Sequence, residues 1–174
     1  EHAGISALTI HGRSRACRFK GHAEYQTIAQ VVQAVSIPVI ANGDITSPNQ
    51  ALAVLEQTQA AAVMIGRAAQ GDPWLFHRIN HLLATGQQAE QPNLAEVAKT
   101  VLLHLNAMYQ FYGHEHGVRI ARKHFAWYMD KHLPTQEAVK AARGQFNLLQ
   151  SSKEQLQLVR TLFNEHLPLE EEAA

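Results

Sequence analysis

The stretch ALTIHGRSRACRFKG, residues 7–21, decides how this chain is read. An apolar run from Ala7 to Ile10 stops at His11-Gly12-Arg13. Four basic residues, Arg13, Arg15, Arg18 and Lys20, then fall within eight positions. A short strand ending in a polar, glycine-punctuated turn is a common way to build a site, provided the pattern recurs.

It recurs twice. After residues 7–10, the segment AEYQTIAQVVQAVS sets Tyr25, Ile28, Val31, Val32 and Val35 at helical spacing. IPVIANGD, residues 37–44, is a second apolar strand and ends at Asn42-Gly43-Asp44. A second helix starts at SPNQALAVLEQT, with Ser47 as N-cap and Pro48 at the first helical position. AAAVMIGRA, residues 60–68, gives a third strand ending at Gly66-Arg67. Strands alternating with helices at this spacing predict right-handed βαβ units and a parallel sheet. The strand ends at His11, Asn42 and Gly66 are 31 and 24 residues apart. In such repeats the C-terminal strand ends lie on one side, so His11, Asn42, Gly43, Asp44, Gly66 and Arg67 converge on one rim.

LATGQQAEQPN, residues 83–93, reads as a linker or surface loop. Beyond it, helical spacing covers Leu94 to Tyr112, Gly117 to His132, roughly Thr135 to Leu149, and Ser152 to His166, before a frayed acidic tail. The fold class expected is therefore α/β followed by an all-α region. The opening EHAGIS reads like the last turn of a helix running into a strand, so the chain is expected to be the C-terminal part of something larger.

Bulk properties bound the function. The chain has 174 residues, one cysteine and a formal net charge of zero. A single cysteine excludes an internal disulfide framework and fits a reducing compartment. No run approaches the ~18 apolar residues of a membrane helix, and no stretch reads as a signal peptide. Whole-molecule charge is silent on nucleic acid, but local charge is not. From Arg119 to Arg160 there are eight Lys/Arg against three acids. Arg119, Arg122 and Lys123 stand at i, i+3 and i+4, on one helical face. Such a face reads first as soluble surface and second as a phosphate-backbone contact, which needs a patch of this kind.

On the rim, Gly43 and Gly66 let backbone N–H groups approach an anion, and Arg67 adds a bidentate cation. One such loop alone reads more readily as a tight turn; two adjacent loops with an arginine favour a phosphate site. His11 alone reads first as a residue bonded to its neighbours, and second as a ligand contact. The basic loop 13–20 is either a solvated face or a polyanion holder. Cys17 has no base partner. His114 and His116 flank a glycine-bounded loop with no third ligand at metal spacing, so no metal is expected. GRAAQG lacks the Gly-Lys-Ser/Thr ending of a P-loop. Met64 and Trp74 read as core.

Together, ALTIHGRSRACRFKGHAEY, IPVIANGDI, VMIGRAAQG and RIARKHFAWYM resemble the bacterial tRNA-dihydrouridine synthases of the B type, over Ala7 to about Phe163. The resemblance implies a TIM (β/α)8 barrel holding FMN, followed by a helical domain, with tRNA lying across both. This chain would supply the C-terminal three βα units of an incomplete barrel (1–86) and a helical tRNA-binding domain (87–174). In that family NADPH reduces the flavin, hydride passes to C6 of a uridine, and a cysteine protonates C5, giving 5,6-dihydrouridine. His11 matches the flavin-contacting histidine. Asn42, Gly43 and Asp44 match the flavin-binding turn after the seventh strand. Gly66 and Arg67 match the phosphate-binding pair after the eighth. Arg13 and Arg15 are assigned to substrate or flavin-phosphate contact, and Arg119, Arg122 and Lys123 to tRNA.

The catalytic cysteine and the flavin-ring lysine belong to earlier barrel strands, and nothing here matches them. No catalytic residue is therefore expected in this chain, and alone it should be inactive. The usual Gly-Ala-Asp before the last strand is Gln59-Ala60-Ala61, and Asp72 stands where an arginine is expected. The complete protein is expected to be a cytoplasmic monomer without membrane or metal. Two other classes compete: a non-catalytic RNA-binding remnant, and another phosphate-binding flavin TIM-barrel enzyme whose tail only packs or dimerises.

Overall fold

Alternating apolar runs and helical spacing demand a sheet with helices packed on it, and the computed structural model has that arrangement. It describes residues 3–17 and 20–164. Arg18, the helical residues expected beyond Asn164 and the acidic tail lie outside the described residues. The chain divides into two compact units, one of residues up to Ala69 with Pro73–Glu90, the other of Gln70–Asp72 with Gln91 onward.

The first unit contains β1 (Leu8–His11), α1 (Gln26–Ala34), β2 (Val39–Asn42), α2 (Pro48–Thr58), β3 (Ala62–Met64) and α3 (Leu75–Thr85), with a 3-10 turn at Arg67–Ala69. The strands form one parallel sheet in the order β1-β2-β3. Thr9, Ile40 and Ala62 lie in one cross-strand row, and His11, Asn42 and Met64 in the next. Side chains alternate across a strand, so these two rows share a face. Val39 and Ala41 point the other way and are buried with Ile28, Val54 and Leu75 in the unit's core. The face carrying His11, Asn42 and Met64 has no such cover among the described residues: Thr9, His11, Ala62 and Met64 are exposed.

Local chemistry explains the boundaries. Ser47 Oγ accepts the Gln50 N–H at 3.2 Å, and Pro48 opens α2 as expected. Gln59 ends α2 in the left-handed conformation at φ 57°, its N–H bonding the Leu55 carbonyl. Glycine is the usual residue for that geometry. The helix α3 was not among the expected elements; Leu75, Ile79 and Leu82 bury its inner face.

The second unit is built of helices: α4 (Leu94–Tyr112), α5 (His114–His132), α6 (Gln136–Leu148) and α7 (Ser152–Leu162). Asn93 and Glu96 cap α4 reciprocally, and Ser151 and Glu154 do the same for α7. Phe125 of α5 stacks on Phe146 of α6 with ring centroids 3.9 Å apart. The wholly buried amide of Gln155 is satisfied on both sides: its Oε1 accepts from Tyr109 Oη at 2.7 Å, and its Nε2 donates to the Val118 carbonyl. Burial pushes the Tyr109 hydroxyl's pKa upward, so it stays a donor. α5 begins at His114, not Gly117, so His114 and His116 lie in its first turn instead of flanking a loop; His114 Nδ1 meets Ser152 Oγ at 2.8 Å. Asp72 is buried in this unit.

Candidate functional site

Parallel strands carry their last residues to one end of the sheet, and there the chain forms a cleft of about 530 Å³. All six rim residues expected from the sequence line it: His11, Asn42, Gly43, Asp44, Gly66 and Arg67. Ile45, Thr46 and Met64 join them. Met64 is 46% exposed and forms a wall of the cleft, which corrects the expectation of a core residue. The reason is parity: it follows Val63 by one position and so faces the open side of the sheet.

The turn after β2 is built by contacts that hold its backbone in an uncommon shape. Gly43 has φ 126° and Asp44 φ 50°, two successive residues in conformations that side chains disfavour. A Cβ on Gly43 would come within 2.8 Å of the Ala23 Cβ, so that position is closed to larger residues on two grounds. Tyr25 Oη donates to the Gly43 carbonyl at 2.6 Å. Gly12 is equally confined: its Cβ would lie 2.5 Å from the Glu24 carbonyl oxygen. Gly12 N–H donates to the Asn42 carbonyl, and the Gly12 carbonyl accepts from Glu24 N–H, locking the β1 turn to the β2 turn.

Arg13 is the hub of that lock. Its side chain is 5% exposed. Nη1 and Nη2 donate to the two carboxylate oxygens of Asp44 at 2.8 and 2.5 Å, a bidentate pair. Nη2 also reaches the Gly21 carbonyl at 2.6 Å, and Nε the Lys20 carbonyl at 3.2 Å. Asp44 Oδ2 takes a further bond from Ala23 N–H at 2.7 Å. These hydrogen bonds, Arg13 foremost, hold the Asp44 carboxyl below the usual carboxylate range, against the opposing effect of burial. Arg13 thus faces inward and does not line the cleft, unlike the contact role expected for it. Arg15 is exposed on the same loop, outside the cleft.

The remaining polar groups face the open side. Arg13 N–H donates to His11 Nδ1 at 3.0 Å, so the neutral ring carries its proton on Nε2 and offers a donor. Asn42 Nδ2 donates to the Met64 carbonyl at 2.8 Å, which fixes the amide and leaves Oδ1 as an acceptor. The Arg67 side chain is 62% exposed and reaches Asp44 Oδ1 only at 3.9 Å. A Cβ on Gly66 would meet nothing within 4 Å. A donor, an acceptor, an apolar wall and an exposed cation in one cleft suit a planar heteroaromatic group bearing an anionic tail. Among the described residues no three His, Cys, Asp or Glu side chains gather as metal ligands. Cys17 is exposed in the basic loop and outside the cleft; the Ser14 hydroxyl, 3.1 Å from its sulfur, lowers its thiol pKa.

In the helical unit, Arg119 and Lys123 are exposed, whereas Arg122 is half-buried. Arg122 Nη2 reaches the Leu149 carbonyl at 3.5 Å, so the three cations do not form one open face. Sequence reasoning also passed over Gly12, Ala23 and Tyr25. The His-Gly-Arg turn was a signal for Gly12, but Ala23 and Tyr25 act through a backbone N–H and a hydroxyl whose partners lie about twenty residues away.

The chain matches the dihydrouridine synthase family over residues 1–167. It is 50% identical over 163 residues to the tRNA-dihydrouridine synthase B of Pectobacterium carotovorum, covering 94% of this chain and 50% of that protein. It is 52% identical over 165 residues to the protein of the same name from Pseudomonas putida, covering 95% and 48%. The Escherichia coli protein of that name is 51% identical over 163 residues, covering 94% and 50%. The chain thus spans about half the length of the curated relatives it matches. With a family match over most of its length and half its residues shared with these relatives, the chain belongs to the dihydrouridine synthase family.

Proposed function

We propose that this chain forms the C-terminal half of an FMN- and NADPH-dependent enzyme that reduces specific uridines of tRNA to 5,6-dihydrouridine. In this reading β1 to β3 are the last strands of a (β/α)8 barrel, and their open face is its interior. Residues 1–86 belong to that barrel and 87–174 form a tRNA-binding helical domain. The observation that carries the reading is the row His11-Asn42-Met64 on the open face, with Arg67 beside it, at the strand ends where barrels of this kind hold ligands.

The residues present fit a flavin mononucleotide. His11 Nε2–H and Asn42 Oδ1 supply a donor and an acceptor for a heteroaromatic edge, Met64 supplies an apolar surface, and Arg67 supplies a cation for phosphate. Gly66 leaves room for close approach of its backbone. When bound, a reduced flavin is a source of hydride. The chain's own part is positioning. Arg13 and Asp44 hold the β2 turn in its left-handed shape, and Tyr25 fixes its carbonyl. Asp44 stays ionised there, bound bidentately by Arg13 and 3.9 Å from Arg67, whose side chain is exposed at the rim. Arg13 acts as a positioning residue and not as a substrate contact. Cys17 lies outside the cleft, and the resemblance places the cysteine that protonates C5 of the base on an earlier barrel strand. The proton donor comes from the half of the relatives' length that this chain does not span.

No helix among the described residues is long and apolar enough to cross a membrane. The exposed Arg119 and Lys123 give the helical domain cations for the tRNA backbone. The test uses the full-length protein. It should purify with flavin absorbance and form dihydrouridine in an unmodified tRNA transcript when NADPH is added, whereas the 174 residues alone should form none. Arg67→Ala should lower retained flavin at least about tenfold, the loss of a charge-assisted contact. A full-length protein that holds no flavin, or an Arg67→Ala protein that holds as much as its parent, would refute the assignment.

A further inference from the structure

One surface of the helical unit has side chains that its own packing does not explain. Phe111 and Tyr112 end α4, and they are 81% and 46% exposed. They meet edge to face at 4.8 Å, and Tyr112 meets the His116 ring at 6.1 Å. From His116 the line continues along α5. Arg119, Lys123 and Trp127 follow at i+3, i+7 and i+11, the spacing of a single helical stripe about 16 Å long. His116, Arg119 and Lys123 are exposed and Trp127 is half-buried. Lys123 Nζ lies 5.0 Å from the Trp127 ring centroid, which holds the cation beside an indole.

Two features narrow what this stripe meets. No acid occurs from His116 to Met129, and Asp130 at the far end pairs with Arg143 at 3.6 Å. Beyond the exposed Glu115 the stripe is thus cationic where it is charged, with rings at both ends and its two cations between them. Against the same face of a second copy of this chain, Arg119 and Lys123 would face like charges, which is unfavourable. Against an RNA strand, the cations meet phosphates and the rings meet bases.

We propose that the ridge running from Phe111 and Tyr112 through His116, Arg119 and Lys123 to Trp127 binds unpaired nucleotides of an RNA chain, its aromatic rings stacking on bases and its two cations holding the intervening phosphates. The inference rests on the RNA reading above and deepens it. Arg119 and Lys123 there are backbone contacts only, whereas the rings select single-stranded nucleotides over duplex. Arg122 has no part in the ridge, since its guanidinium turns toward Leu149.

The test compares binding of an unmodified tRNA transcript and of a fully paired RNA duplex of similar length to the full-length protein, over a range of salt. Phe111→Ala with Tyr112→Ala should weaken tRNA binding at least about tenfold, with the slope of log affinity on log salt unchanged. Duplex binding should be untouched. Arg119→Gln with Lys123→Gln should instead lower the magnitude of that slope by about 1.4, two contacts on a single strand. Phe111 is so exposed that its removal leaves the helical core intact. Aromatic variants that bind tRNA as tightly as the parent, or lose duplex binding equally, overturn this inference and leave the RNA reading standing. A loss that tracks dissociation of a dimer in light scattering also overturns it, in favour of a second copy. A parent protein that binds no tRNA removes the RNA reading itself, and this inference with it.

Discussion

The two units of this chain solve the burial problem differently. The helical unit closes on itself: Phe125 stacks on Phe146, and Tyr109, Gln155 and Val118 join three helices through bonds that satisfy both ends of the buried amide. Among the described residues, the strand-containing unit closes on one side only. Its helices cover Val39 and Ala41, while His11, Asn42 and Met64 stand in a row on the bare face. The side that lacks packing partners is the side that carries the ligand-type chemistry. A parallel sheet is normally covered on both faces, so the bare one calls for a complement. In the proposed barrel that complement is the remaining strands, and the row becomes an interior layer.

The largest effect expected tests that contrast directly. Phe125→Ala should destabilise the helical unit by about 3–5 kcal/mol, read from thermal or denaturant unfolding of the 174-residue chain. Met64→Ala in the same chain should cost less than ~0.5 kcal/mol, as for an ordinary surface position. In the full-length protein the Met64 substitution should rise to about 2 kcal/mol, because a covered methionine loses packing when truncated. An unchanged cost in the longer protein would mean that the face stays open there, and the barrel reading would fail.

Next in size is the lock between the β1 and β2 turns. Arg13→Gln leaves Asp44 without its bidentate partner, and about 2 kcal/mol should be lost near pH 7, less than for a fully buried pair because Asp44 is 28% exposed. The pH dependence has a definite sign. The native carboxyl of Asp44 titrates below its unfolded value of about 4, so its contribution is present above that pH and disappears as pH falls through the lower native value. The stability gap between parent and Arg13→Gln should therefore be full at pH 7 and narrow below about pH 4. A gap that is constant from pH 7 to pH 3 would show that Arg13 acts through packing and not through this carboxylate.

How much of this was legible follows from the range of each signal. The strands, the Ser47-Pro48 start of α2 and the limits of α4 are local, and periodicity and capping residues place them. Helix α3 had its own signal, Leu75, Ile79 and Leu82 with Gly86 behind, but no side chain caps its start and the loop before it carries the eye past. The rim was legible because parallel strands must end on one side. What a rim arginine does there was not. Arg13 and Arg67 both follow a strand-end glycine, yet one turns inward to a carboxylate 31 positions away and the other stays exposed. Sequence shows a charge, not the direction in which it points. The same holds for Arg122, which shares a helical face with Arg119 and Lys123 but ends against the Leu149 carbonyl, in the connection between α6 and α7.

The smallest effect concerns a backbone-determined position. Gln59 occupies the left-handed C-cap of α2, where the resemblance leads one to expect glycine. A non-glycine residue in that conformation costs about 1 kcal/mol, partly offset here by its Nε2–H bond to the Glu56 carbonyl at 2.8 Å. Gln59→Gly relieves the backbone, loses that exposed bond and makes the unfolded chain looser. The first contribution should prevail by a few tenths of a kcal/mol up to about 1. Gln59→Ala separates the two: it keeps the backbone cost and loses the bond, so it should be the least stable of the three in matched unfolding curves. If the glycine variant is instead the least stable, the amide bond outweighs the conformation, and the departure from glycine is compensated in place. Either ordering leaves the cleft unchanged, because Gln59 sits at the opposite end of β3 from Gly66, and flavin retention by the full-length variants should show it.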